Sequence, residues 1–364
     1  MRVIYDNIIF SLQRAGGISL VWYELSRRLL INKNIDFGVI ENERAKNNIF
    51  RKLLNIRSEN ISAIETGHVL KRYMPPPVLN ITVPFIFHSS YYRISSQKNA
   101  INITTVHDFT YEHFVRGLPK YINYLQKAIA IKKSKGIICI SNNTKNDLLH
   151  FFPKTDIRKI RVIYNGVSNN FRYLDDKSHL QNEKFCKLKG CKYILFVGNR
   201  KRYKNFRCAV ETLVLLDGYS IVIAGGGKMT SRETKNLSKR IPGRFFIFPE
   251  LTDEDLNNLY NNAFCLLYPS LYEGFGLPVI EAMKAGCPVI ATSSSSIPEI
   301  AGDAAILVNE IIPSEFAKRI LSLEQKEFRI NTIRKGFERS KMFSWDKCAS
   351  EVINFYDEVS NLLI

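Results

Sequence analysis

Glu273 and Glu281, with seven residues between them, bracket a glycine-broken turn, Gly274-Phe275-Gly276, that runs into Leu277-Pro278. Pro278 stands where a first helical turn would begin, and Gly286 suits the position just past the helix end. Such a turn aims unpaired backbone N–H groups and the positive end of a helix at one point, which suits a phosphate. Carboxylates accept paired hydrogen bonds from vicinal hydroxyls. One carboxylate at the mouth of an anion site and one beside it therefore fit a sugar and a ribose flanking a phosphate: a nucleotide sugar. Taken singly, each acid has a plainer reading. Glu281 would complement the dipole of its own helix, and Glu273 would be a solvated loop charge. A second stretch is cationic: the apolar run Tyr193 to Val197, then Gly198, then Asn199-Arg200-Lys201-Arg202-Tyr203-Lys204. A strand, a glycine and a basic loop entering a helix make a phosphate clamp, with a basic surface loop as the bland alternative.

The run from Glu273-Gly274-Phe275-Gly276-Leu277-Pro278 through Glu281-Ala282, Gly286 and Pro288-Val289-Ile290 resembles the donor-site signature of glycosyltransferase family 4. Ile297 to Ala305 resembles that family as well. The resemblance implies an α/β fold of GT-B architecture, two Rossmann-like domains facing a cleft, with a C-terminal helix crossing back to the first domain. It implies a retaining, nucleotide-sugar-dependent hexosyltransferase, and it assigns roles. Arg200 and Lys204 would hold the donor diphosphate, with Arg202 an open alternative for the arginine. Gly198 and the amides of Gly274, Phe275, Gly276 and Leu277 would line the same group. Glu273 would hold donor-sugar hydroxyls and Glu281 the ribose. Gly16 and Gly17 would touch donor phosphate or acceptor. His107, in Thr105-Val106-His107-Asp108, matches the cleft histidine of mannosyltransferase-like members, whereas a cap for the following segment explains Asp108 equally well. GDP-mannose is the first donor implied and a UDP-sugar the second. The acceptor would be a glycan or a lipid-pyrophosphate-linked saccharide in surface polysaccharide or O-antigen synthesis. No residue reads as a committed nucleophile, and with cationic phosphate ligands at hand no metal or other cofactor is expected. The competing classes are a GT-B nucleotide-sugar epimerase and a noncatalytic sugar- or lipid-binding subunit.

Elements able to position these residues follow from apolar periodicity. Strands are expected over residues 1–10, 81–89, 101–106, 136–140, 160–163, 193–198, 220–224, 245–248, 263–267 and 288–291. Helices are expected over 20–30, about 119–135 and 279–285, with Ser141 capping a helix and Thr252 forming a capping box with Asp255. The tail from Trp345 repeats apolar residues at helical spacing, at Val352, Phe355, Tyr356, Val359 and Leu363. These elements divide into a first domain over 1–168 plus a helix at about 345–364, a linker over 169–190, and a second domain over 191–344.

The chain has 364 residues, 45% hydrophobic and 24% charged, as in globular proteins. Its apolar runs are strand-sized, well short of the ~20 residues of a membrane span. An acid and an amide at Asp6-Asn7 occupy the place of a signal peptide's apolar region, so a cytoplasmic location is expected. Seven cysteines without metal spacing read as free thiols. The net charge of +18 is uneven: residues 1–168 hold 25 Lys+Arg and 11 Asp+Glu (+14), residues 169–364 hold 27 and 23 (+4). No zinc finger, RNA-binding signature or basic helix accompanies it, which excludes nucleic acid as the expected partner. An anionic membrane surface fits better, with Arg44 to Arg72 and the interspersed Leu53, Leu54 and Ile56 as the expected docking segment on the inner face of the cytoplasmic membrane; diffuse solubilising charge is the alternative.

Overall fold

Short, β-branched and aromatic apolar runs form two parallel sheets, each buried on both faces as parallel sheets require. A computed structural model describes residues 1–64, 72–175 and 183–361. The chain divides into two units, Met1–Gly166 with Trp345–Ile364, and Val167–Ser344. The first holds β1 (Arg2–Asp6), β2 (Asp36–Asn42), β3 (Ile61–Ile64), β4 (Phe85–Ser89), β5 (Ala100–Val106), β6 (Gly136–Cys139) and β7 (Ile160–Val162), in the order β3-β2-β1-β4-β5-β6-β7. The second holds β8 (Tyr193–Val197), β9 (Ser220–Ala224), β10 (Phe245–Phe248), β11 (Cys265–Tyr268), β12 (Val289–Thr292) and β13 (Ile306–Val308), in the order β10-β9-β8-β11-β12-β13. Each sheet is Rossmann-like. Its strand order reverses once, between β1 and β4 and between β8 and β11, and such a reversal opens a crevice at the carboxyl ends of the strands.

Several boundaries differ from the sequence reading. The first strand stops at Asp6, and Ile8–Leu12 is a short helix. Asn7 still donates its N–H to Ile40 across the sheet, and the next three residues are all buried, so no alternation marked the change. The following helix begins at Gly17, three residues before the expected Leu20, because the Gly16 carbonyl already accepts the Leu20 N–H. Ser141 caps its helix through the Thr144 N–H, and Thr252 with Asp255 forms the expected capping box. Five cysteines are buried and all seven are free thiols.

The expected docking segment does not form an outward apolar face. Leu54 and Ile56 are buried, Leu53 alone of the three is exposed, and Arg51 is buried in a two-bond pair with Glu41 at 2.6 and 2.7 Å. Lys71 lies outside the described residues. In the stretch read as a linker, Phe171, Phe185 and Leu188 are buried within the second unit, and residues 176–182 lie outside the described residues.

The helix Trp345–Asn361 packs in the first unit; Leu363 lies outside the described residues. Its Tyr356 hydroxyl lies 2.9 Å from the Tyr5 hydroxyl and 2.5 Å from His88 Nδ1, while His88 Nε2 is 2.8 Å from Thr105 Oγ1. One buried chain thus ties β1, β4 and β5 to the last helix. Burial lowers the His88 imidazole to about 3, so it stays neutral. Tyr356→Phe should cost about 1–3 kcal/mol by leaving two buried partners unpaired, read as a lower urea midpoint. The sign for His88 follows from linkage: its folded pKa lies below the ordinary 6.5, so stability present above that value is lost as the pH falls and the unfolded chain takes up the proton. Denaturation midpoints should therefore drop on acidification from pH 7 to pH 5, with a shallower drop in His88→Gln.

Candidate functional site

At the strand-order reversal of the second unit, β8 runs into a loop and a short 3₁₀ turn, Arg202–Lys204, while β11 runs into the loop carrying Glu273. The two loops meet. Lys204 Nζ donates to Glu273 Oε1 at 2.6 Å and to the Tyr268 hydroxyl at 3.1 Å. Both charged side chains are only 11% exposed. Burial by itself lowers the Lys204 pKa, but the Glu273 carboxylate and Tyr268 outweigh it and hold the ammonium charged. Tyr268 is pushed up by burial and by Glu273, and serves as a neutral phenol.

The Glu273 loop is braced from β12 and the serine run behind it. Ser295 Oγ accepts the Glu273 N–H at 2.8 Å, and Ser296 Oγ lies 2.9 Å from the carbonyl oxygens of both Glu273 and Phe275. Phe275 itself is buried against Phe343. Gly276 is the N-cap of the helix Leu277–Lys284 at φ +108°, a conformation that only glycine adopts readily. Gly274 to Leu277 therefore form the turn into a helix N-terminus that the sequence implied.

Glu281 sits elsewhere than a first turn. The helix has no acid in its first turn, and Glu281 faces inward, 7% exposed, accepting a 3.0 Å bond from the Tyr260 hydroxyl. The dipole reading of this residue is thereby corrected. Burial raises its carboxyl to about 8. The Arg200 side chain, 7% exposed, bonds elsewhere than to the Lys204–Glu273 pair: Nε donates to Glu233 at 3.0 Å and Nη2 to the Lys228 carbonyl at 3.0 Å. Its Nη1 is buried and meets no acceptor among the described residues. Arg202 is exposed. Gly198 follows β8, and the loop after β9 approaches it closely: a Cβ on Gly226 would lie 2.4 Å from the Gly198 carbonyl oxygen and 3.0 Å from Arg200 Nη1. Only glycine fits there, so the β8 and β9 loops are in backbone contact.

The remaining candidates lie in the first unit. His107 follows β5, is buried, and is lowered to about 4 by burial; its Nε2 meets no partner among the described residues. Asp108 precedes Phe109, the N-cap of the helix Thr110–Phe114; its side chain accepts the Thr110 N–H and its carbonyl accepts Lys127 Nζ at 3.0 Å. Gly16 is the N-cap of the helix Gly17–Ile31, and Gly17 is its first residue.

Tyr268, Tyr260, Glu233, Ser295 and Ser296 were not singled out from the sequence. A signal existed for Glu233, since Thr230-x-x-Glu233 has capping-box spacing; it forms that box while its other oxygen holds Arg200. Among the described residues no three His, Cys, Asp or Glu side chains converge as a metal site would.

Two family models match the chain. A family model described as Glycosyltransferase Family 4 matches residues 15–171, and one described as Glycosyl transferases group 1 matches residues 180–339. O-antigen chain mannosyltransferase B of Escherichia coli is 27% identical over 269 residues, covering 70% of this chain and 69% of its own. Sucrose-phosphate synthase of Thermosynechococcus elongatus superposes over 100% of both chains with a TM-score of 0.77 at 17% identity. Anabaena Alr3699/HepE, in complex with UDP and glucose, does so over 98% of this chain and 99% of its own, with a TM-score of 0.72 at 14% identity. These two likenesses establish the fold as GT-B.

The Glu281 environment makes a pH prediction. Its folded pKa is raised to about 8 from 4.5, so the stability associated with it is fully present below 4.5 and lost as the pH rises through 8. Denaturant midpoints should decline between pH 6 and pH 9, and Glu281→Gln should flatten that decline. Equal slopes for the two proteins would place the carboxyl in an open, ordinary environment.

Proposed function

The chain belongs to the family 4, group 1 glycosyltransferases, and from that membership we propose that it moves mannose from GDP-mannose, with retention of configuration, onto a glycan or lipid-pyrophosphate-linked saccharide in surface polysaccharide synthesis. The relative from Escherichia coli, an O-antigen chain mannosyltransferase, supports the sugar and the setting. A UDP-sugar is the second donor, since the Anabaena protein binds UDP. On this reading the reaction runs at the inner face of the cytoplasmic membrane.

The observation that carries the reading is the buried Lys204–Glu273 pair at the strand-order reversal. A nucleotide sugar is complementary to both halves of it. The donor diphosphate replaces Glu273 opposite the Lys204 ammonium, and the sugar hydroxyls replace Lys204 as donors to the Glu273 carboxylate. As the glycosidic bond breaks, charge grows on the departing diphosphate; Lys204, the Gly274 to Leu277 amides and Arg200, swung from Glu233, stabilise it. The acceptor attacks the same face and its proton passes to the leaving phosphate. Glu281 and Tyr260 hold the ribose, and neutral His107 contacts the donor sugar. Because cations and amides balance the phosphate charge, no metal is required.

Lys204→Ala should reduce kcat roughly a hundredfold with a smaller change in KM, since the charge it meets is greatest in the transition state. Parental kcat in saturating donor would remove Lys204 from this role. Turnover should persist in EDTA. Thermal shifts with GDP, UDP and ADP identify the nucleotide, and the GDP shift should be largest.

A further inference from the structure

Side chains from three elements of the first unit converge on the segment that follows β5. Tyr92, just past β4, is 7% exposed and stands at φ +54°, the left-handed region that a tyrosine rarely enters. Its hydroxyl hydrogen-bonds the backbone of His107. Lys127, on the helix Leu118–Lys133, has a side chain only 2% exposed. An ammonium has three N–H donors, and this one meets three acceptors just beyond His107. They are the Asp108 carbonyl at 3.0 Å and the two Glu112 oxygens, each at 2.9 Å. The same ammonium lies 4.2 Å from the centre of the Phe109 ring and 5.4 Å from that of Tyr92. Tyr92 therefore holds the backbone at His107, and Lys127 with Glu112 holds the backbone after it.

Stability alone does not account for these choices. A buried ion pair contributes little over apolar side chains of the same volume, whereas its bonds fix direction. A tyrosine at positive φ is held there against its own preference, and such residues cluster where a neighbouring group must be placed. The residue between the two holds is His107. It is 6% exposed, burial lowers its imidazole to about 4 and keeps it neutral, and its Nε2 has no partner among the described residues. A buried polar nitrogen left unpaired is costly. Here the neighbours bond the backbone and leave the ring nitrogen for a ligand.

We propose that Tyr92, Lys127 and Glu112 form a clamp that positions the His107 imidazole, with Nε2 as the atom that bonds a hydroxyl of the donor sugar. This rests on the reading of His107 as a donor-sugar contact and deepens it. Lys127 and Glu112 are too deeply buried to touch a substrate, and all three act through the histidine as positioning residues.

Two variants of the full chain open the clamp without leaving a lone buried charge. Tyr92→Phe removes one hydroxyl, and Lys127→Met/Glu112→Leu replaces the ion pair by apolar side chains of similar size. Both should keep the parental thermal shift with GDP, whose proposed ligands lie in the second unit. Release of GDP from GDP-mannose should fall in kcat by on the order of ten- to a hundredfold, the usual effect of a slightly misplaced group. In a His107→Ala background the same changes should produce no further loss, because they act only through the imidazole. The His107 ring signal in nitrogen NMR, assigned by its disappearance in His107→Ala, should move or broaden in both variants. An unmoved ring signal overturns the proposal, as does a loss of turnover that adds in full to that of His107→Ala. Parental kcat in the clamp variants, where His107→Ala has lost it, overturns the clamp alone. Parental kcat in His107→Ala overturns both the clamp and the histidine's part in the reading. If no protein in the series, the parent included, releases GDP, the transferase reading fails, and the ring signal still decides the clamp.

Discussion

A buried ammonium opposite a buried carboxylate governs the second unit. Taking Lys204 and Glu273 out of water costs several kcal/mol per ion, and their mutual attraction offsets this only while each faces the other or an equivalent partner. Removing one leaves an uncompensated charge. A ligand that separates them must therefore bring an anion for Lys204 and hydrogen-bond donors for Glu273, in adjacent positions. Under the proposed function, a sugar diphosphate does both. The ion pair then acts as a stand-in for the donor and holds the two loops where the donor will need them.

That arrangement depends on the sheet. Parallel strands start every crossover at the carboxyl edge, and the reversal between β8 and β11 leaves two loops diverging from one crevice. Nothing in either loop is regular enough to hold itself. Bracing comes from outside: Ser295 and Ser296 fix the backbone around Glu273, and Glu233 holds Arg200 while capping its own helix. The contact of Gly226 with the Gly198 carbonyl joins the β8 and β9 loops without any side chain. Rigid strand ends and cross-loop bonds together preorganise charges that would otherwise cost reorganisation on each turnover.

The first unit is held differently. Tyr5, His88, Thr105 and Tyr356 form a polar chain through an apolar core, joining residues near the start of the sequence to the last helix. Every member is buried, so each unpaired atom would be costly and the chain forms completely or not at all. Helix Leu118–Lys133 carries polar residues inside by the same means: Asn123 Nδ2, Gln126 Nε2 and Lys127 Nζ donate to the Tyr91 hydroxyl, the Arg72 carbonyl and the Glu112 carboxylate.

The sequence alone carried the resemblance to family 4, which implied the two-domain α/β fold, and it determined the turn from Gly274 into a helix and the cationic loop after Gly198, because these two are local patterns of apolar runs, glycines and caps. It determined several boundaries too, such as the Thr252–Asp255 capping box and strand Ser220–Ala224. Helix Ile8–Leu12 escaped, since three successive buried residues carry no period that separates helix from strand. Only the tertiary structure decided partnership. Lys204 and Glu273 are 69 residues apart and meet because two non-consecutive strands are sheet neighbours. Glu281 turned inward to Tyr260, and Arg200 toward Glu233, through contacts between neighbouring elements that no local pattern encodes. Which face of helix Leu118–Lys133 is buried was likewise undecidable from its own periodicity: an amphipathic pattern fixes two faces, and only the neighbours that bond Asn123, Gln126 and Lys127 determine which of them turns to the outside.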